Sequence, residues 1–162
     1  MVEQVLLAAD LVDEAVGHPD PGDPGRGQLG GARLAAKADA GATFAQTQPV
    51  YDVAQFAAWL DRLADRGLPD RVAVLAGILP PASAAQLDRF ATLPGWSVPG
   101  GVLARMRAAP DQRAEGIALA AEMVQAVRTL PGVRGIHLMG LGTSGVPEVA
   151  HAAGLLPRPV PA

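Results

Sequence analysis

Between Arg71 and Gly77 the chain reads Val-Ala-Val-Leu-Ala, an unbroken apolar run of strand length, and this run limits the fold most tightly. A strand that alternates polar and apolar residues can face water on one side. One that does not alternate is buried on both faces, as strands of parallel sheets are. The flanking sequence supplies the helices such a sheet needs. Asp52 caps an amphipathic helix whose inner face is Val53, Phe56, Ala57, Leu60, Leu63 and Ala64, ended by Gly67 with Pro69 beyond. Ala32 to Ala40 reads as a helix stopped by Gly41, followed by a strand over Ala42 to Thr47. Ser83 to Leu93 reads as a helix with a Ser-x-x-Gln capping pattern, and a short helix follows around Leu103 to Ala108. Asp111 caps a longer helix with Ile117, Ala120, Ala121, Val124 and Val127 on one face, stopped by Pro131-Gly132. Gly135 to Gly140 reads as another buried strand and Pro147 to Ala153 as a last short helix. Strands alternating with helices, without repeats or heptads, predict an α/β fold with a parallel sheet, open or closed into a barrel. In barrels of this kind the chemistry lies at the carboxyl ends of the strands. That directs attention to Thr47-Gln48, to Gly77 through Pro81, and to Gly140 through Thr143.

The amino-terminal part is harder to read. Val2, Val5, Ala9, Val12 and Val16 fall at helical spacing, yet Val5-Leu-Leu-Ala-Ala9 reads equally as a buried strand, so residues 1–16 stay unassigned. Residues 17–31 hold too many prolines and glycines for a ladder or a helix and are predicted to be a loop. Such a loop serves either an active site or the seam to an irregular amino end. A chain of 162 residues suits one domain. Hydrophobic residues at 49% and charged residues at 18% exclude a disordered chain. A net charge of −3 offers no general basic field for nucleic acid or an anionic membrane, so neither is an expected partner. The absence of cysteine excludes disulfides, thiolate nucleophiles and Cys-ligated metals, and it suits a reducing compartment. The amino end lacks a basic leader region, and no apolar run reaches the ~20 residues that span a bilayer. A cytoplasmic location is therefore the expectation. Neither the dinucleotide Gly-x-Gly-x-x-Gly between strand and helix nor the P-loop pattern occurs.

Four segments, taken in order, carry a family resemblance. They are Lys37-Ala-Asp-Ala-Gly-Ala-Thr-Phe-Ala-Gln-Thr-Gln-Pro-Val-Tyr-Asp52, Leu75-Ala-Gly-Ile-Leu-Pro80, Pro94-Gly-Trp-Ser-Val-Pro99 and Gly132-Val-Arg-Gly-Ile-His-Leu138. From about Gly17 to Leu156 the chain resembles the second half of the methylenetetrahydrofolate reductase family. The Thr-Gln-Pro-Val-Tyr-Asp wording is similar to the bacterial branch in which the reductase is fused to a homocysteine methyltransferase. The resemblance implies a (β/α)8 TIM barrel, here partial, with about half of it in residues 32–156 and a tail at 157–162. It also implies FAD as cofactor and NAD(P)H as co-substrate. The reaction would convert 5,10-methylenetetrahydrofolate to 5-methyltetrahydrofolate, in one-carbon metabolism and methionine biosynthesis.

Residue by residue, the resemblance assigns Gln48 to the folate pterin ring, a task suited to an amide that both donates and accepts. A turn-capping amide is the alternative reading. Gln86 matches a second folate-contacting glutamine, although its place three residues after Ser83 is explained equally by helix capping. Phe90, one turn further along, matches an aromatic on which the folate aminobenzoyl ring or the nicotinamide stacks; a plain core phenylalanine is the competing reading. Leu141 matches the leucine after the last strand, in the folate site. His18, in Gly17-His-Pro-Asp20, resembles a histidine beside the flavin nucleotide, in a loop about three residues longer than the family's. Lys37 matches a basic residue on the FAD phosphate and is the only lysine among 13 basic residues. Arg33, one turn earlier on the same helix, would share that work. A solvated helix lysine is the other reading of Lys37. His137 and His151 lack paired ligands at a recognised spacing and read as structural. Asp10, Asp13 and Glu14 read as a solvated acidic face.

Two departures qualify the expected chemistry. Leu141-Gly-Thr143 stands where the family usually has an arginine two residues after the leucine, a departure that puts the usual contact to the folate glutamate in question. The family's proton-donating glutamate and its aspartate near flavin N1 belong to the half that this chain does not match. The expected function is therefore flavin-dependent folate reduction in which these residues supply binding. The alternative is a catalytically inactive half-barrel or interaction module. Unpaired sheet edges would call for self-association or a complementary amino-terminal half.

Overall fold

The computed structural model describes residues 26–93, 95–140 and 145–156, of which 26–30 are described by backbone alone. The elements run α1 (Arg26–Asp39), β1 (Phe44–Pro49), α2 (Val53–Ala64), β2 (Ala73–Ile78), α3 (Ala84–Phe90), α4 (Gly100–Ala108), α5 (Gln112–Val127), β3 (Val133–Leu138) and α6 (Val146–Ala152). The strands form one sheet in the order β1-β2-β3, and both pairs are parallel. The alternating pattern thus produces the expected architecture, a parallel arc with helical crossovers.

The sequence places each strand of the described residues, with ends that differ by one or two residues. The cause at β1 is the end of α1. The Gly41 amide bonds to the Ala38 carbonyl and the Ala42 amide to the Lys37 carbonyl, with Gly41 at φ +101°. This paired helix-ending motif keeps Ala42 in the cap rather than in the ladder. A larger difference lies at the other end of α1, which starts at Arg26 and not at Ala32. Each glycine in a helix costs about 1 kcal/mol relative to alanine, which is what made 26–31 read as loop. Leu34, fully buried, and Ala35 and Ala38, packed on the core, supply burial against that cost. Helix α3 is shorter than expected and ends at Phe90, whereas α4 begins early, at Gly100.

The core lies on one face of the sheet. Val74, Ala76 and Ile78 of β2 join Phe56, Leu60 and Leu63 of α2 and Ala120, Val124 and Val127 of α5 in one cluster. A buried Phe or Leu contributes about 1.5 to 3 kcal/mol, so this stripe stabilises α2 well beyond its own propensity. The second face is more open. Leu75 is buried but lies outside that cluster, Phe44 is 41% exposed, and Gln46 is half-buried. The expectation that β3 is buried on both faces is corrected here: Arg134 is exposed and Val133, Gly135 and His137 are half-buried. Among the described residues β3 is an outer strand, with β2 on one side only. No described helix is long and apolar enough to cross a membrane.

Candidate functional site

The carboxyl end of β1 is irregular, and the irregularity is built. Gln46 pairs with Leu75 and Pro49 with Gly77, so Thr47 and Gln48 together stand opposite Ala76. Thr47 is only 3% exposed. Its hydroxyl donates to the Gln48 carbonyl at 2.9 Å and accepts the Gly77 amide at 3.0 Å. A side chain thereby takes the ladder position that the bulge vacates. Gly77 makes the close approach possible, since a Cβ there would lie 2.4 Å from the Thr47 carbonyl oxygen. Bulges of this kind bend a strand and re-aim its side chains, often beside a functional site. Gln48 sits within this bulge, half-buried.

Beyond the bulge, Tyr51 and Asp52 tie the end of β1 to its neighbours. The Tyr51 hydroxyl donates to the Leu79 carbonyl at 2.9 Å, just past the end of β2. Tyr51 is 3% exposed, and burial pushes its phenol pKa up, so the group remains a protonated donor. Its ring lies 6.4 Å from the rings of both Phe90 and Trp96, which are 4.6 Å from each other. Asp52 caps α2 by accepting the Gln55 amide at 2.9 Å, and its other oxygen accepts the Ser97 hydroxyl at 3.3 Å. Two adjacent residues therefore hold the segment from α3 to α4 over the end of β1. Tyr51 and Trp96 both fall in the family-like segments, where the sequence alone assigns neither a role. The available signal was a single tyrosine directly after a strand, because a buried tyrosine needs a partner for its hydroxyl.

The predicted site residues fall into separate places. Gln48 is at the carboxyl end of β1, and Phe90 packs half-buried into the aromatic trio that Tyr51 anchors. Gln86 takes part in helix capping: its Oε1 accepts the Ala82 amide at 2.7 Å, while its backbone N–H donates to the Ser83 hydroxyl at 3.2 Å. Lys37 lies two residues before the end of α1, where Asp39 pairs with Arg71 at 2.5 Å. Arg71 leads into β2. Lys37 therefore stands at the amino-terminal end of the sheet. Gln48 stands toward the other end of a six-residue strand, about 13 to 20 Å away along it. Arg33 is exposed one turn earlier on α1. His18 and Leu141 lie outside the described residues.

His137 pairs with Gly77 across β2 and β3, and burial lowers its pKa. Its Nδ1 and that of His151 are buried without a hydrogen-bond partner among the described residues. No group of three His, Cys, Asp or Glu able to hold a metal occurs among the described residues. A cavity of about 390 Å³ opens between the start of α2, α4 and α5, lined mostly by apolar side chains such as Val53, Val102 and Met123. Its one guanidinium, Arg105, is bridged to Glu122 at 2.6 Å and to Glu115, so its charge is already matched.

The sequence model of the methylenetetrahydrofolate reductase family matches residues 16–154. No curated protein matches the chain. Among solved structures, an uncharacterized protein from Clostridium thermocellum that binds two copies of 5-methyl-5,6,7,8-tetrahydrofolic acid is similar, with 17% identity and a TM-score of 0.55. The match covers 79% of this chain and 48% of that one, so the chain spans about half the length of this neighbour. At that identity the likeness shows a shared fold.

Proposed function

The chain belongs to the methylenetetrahydrofolate reductase family, and from that premise we propose that it binds a reduced folate at the carboxyl ends of β1 and β2. The observation that carries this reading is the bulge at Thr47-Gln48. It sets a donor–acceptor amide at a strand end, three residues before Tyr51, whose ring neighbours a half-buried aromatic pair able to stack on a flat ring. The Clostridium neighbour, which binds a methylated tetrahydrofolate, supports the substrate class. On this reading Gln48 and Phe90 contact the folate, and Leu141 belongs to the same site. Gln86 shapes the site by fixing the start of α3.

The reaction proposed is reduction of 5,10-methylenetetrahydrofolate to 5-methyltetrahydrofolate with NAD(P)H, through FAD. When bound, the flavin supplies the hydride relay. Arg33 and Lys37 have the donor chemistry of a phosphate contact and His18 would join them at the nucleotide, yet Lys37 stands at the opposite end of the sheet from Gln48. The fit ends there. Asp52, three residues past the end of β1, accepts the Gln55 amide and the Ser97 hydroxyl and so serves as a cap and a tether. This favours a binding role for these residues, with the proton donor on a complementary amino-terminal half. It also keeps a catalytically inactive binding module as the second reading. Purified protein should be assayed for NAD(P)H-dependent folate reduction alone and with a first-half polypeptide added. Turnover only in the mixture supports the split reductase, and folate binding without turnover in either supports the module. Turnover by the chain alone would show that it holds its own acid.

A further inference from the structure

We infer that Tyr51 is a positioning residue of the folate site: its buried hydroxyl, held by the Leu79 carbonyl, sets the Phe90–Trp96 ring pair relative to Gln48. The inference rests on the folate reading above and adds a residue that the reading itself does not require.

The geometry separates this role from ordinary core packing. A phenylalanine would fill the same volume without having to bury a hydroxyl. A buried hydroxyl is tolerated only when its hydrogen bond is made. The partner is distant in sequence, 28 residues on, and sits where β2 ends and the connection to α3 begins. The bond therefore joins the β1–α2 connection, three residues past Gln48, to the connection that leads into α3, whose last residue is Phe90. It also fixes the direction of the phenol ring. That ring is the common neighbour of Phe90 and Trp96, at 6.4 Å from each and inclined by 25° and 35°. Phe90 and Trp96 are both half-buried, so each can keep part of its surface for a flat ligand ring. The Asp52–Ser97 hydrogen bond independently fastens the same segment, so loss of the tyrosine hydroxyl should let the rings shift without releasing the segment.

The test uses the full chain labelled with 5-fluorotryptophan. Its two tryptophans then give two ¹⁹F signals. Trp96 reports the ring cluster, and Trp59, stacked on Phe56 at 5.6 Å, reports the core. Wild type, Tyr51→Phe and Tyr51→Leu are each titrated with 5-methyltetrahydrofolate by calorimetry. The expected result for Tyr51→Phe is affinity about tenfold weaker, a shifted Trp96 signal and an unmoved Trp59 signal. Tyr51→Leu should weaken binding further. Wild-type affinity in Tyr51→Phe overturns the inference while leaving the folate reading intact. Movement of both fluorine signals makes the hydroxyl a fold determinant and overturns it as well. A wild-type chain that binds no folate defeats the folate reading, and the positioning role falls with it.

Discussion

The Thr47 hydroxyl accepts the Gly77 amide at 3.0 Å, a side-chain bond standing where a regular parallel ladder would use a backbone carbonyl. Gly77 is also the residue whose missing Cβ admits the Thr47 and Gln48 carbonyls. The two residues thus define the bulge from both sides. Thr47→Val keeps the shape and leaves the Gly77 amide buried without its acceptor, which should cost about 1 to 3 kcal/mol of stability. Gly77→Ala should cost a similar ~1 to 3 kcal/mol through overpacking. Urea unfolding followed by circular dichroism measures both, and an unchanged midpoint in either variant would remove the bulge from the account.

Gln48 is half-buried and the structure gives it no stabilising role, so Gln48→Ala should leave the unfolding midpoint near that of wild type. Its effect should appear in folate binding, weakened by about 1 to 3 kcal/mol if a partnered amide is lost. Calorimetric titration with 5-methyltetrahydrofolate reads the difference. Equal affinities would remove Gln48 from the folate site.

Lys37 stands at the amino-terminal end of the sheet, away from Gln48, and its proposed work on the FAD phosphate is electrostatic. Lys37→Ala should lower FAD retention in a salt-sensitive manner, with Lys37→Arg milder. Equal retention by wild type and Lys37→Ala at low salt would assign Lys37 to the solvated surface.

Burial holds the His137 pKa below its ordinary value, which gives the pH dependence a definite sign. As pH falls through the ordinary histidine value of about 6.5, the unfolded chain takes up a proton that the folded chain resists. Stability should therefore decline from neutral pH downward until the lower folded value is reached. His137→Gln should flatten that part of the profile. Thermal unfolding between neutral and mildly acid pH checks this, and identical slopes for variant and wild type would contradict it.

The sequence was most legible where burial and capping act locally. The β2 run is apolar because helices cover one of its faces and Leu75 is buried on the other. Asp52, Ser83 and Asp111 each cap the helix that their spacing announced. The start of α1 was illegible because its glycines oppose the helix locally, while Leu34 favours it through contacts that no local pattern shows. The bulge was hidden for a similar reason. Thr47 reads as an ordinary strand residue until Gly77, 30 positions later, is brought beside it. The ring cluster likewise depends on Tyr51 meeting Phe90 at the end of α3 and Trp96 in the α3–α4 connection.

On the proposed function, a reduced folate sits at the carboxyl ends of β1 and β2. Backbone amide shifts of the isotope-labelled chain, followed by NMR during titration with 5-methyltetrahydrofolate, test it most directly. Saturable shifts should concentrate at residues 46–52 and 86–97, with the outer cavity near Val102 and Met123 unmoved. Absence of shifts, or shifts confined to that cavity, would contradict it.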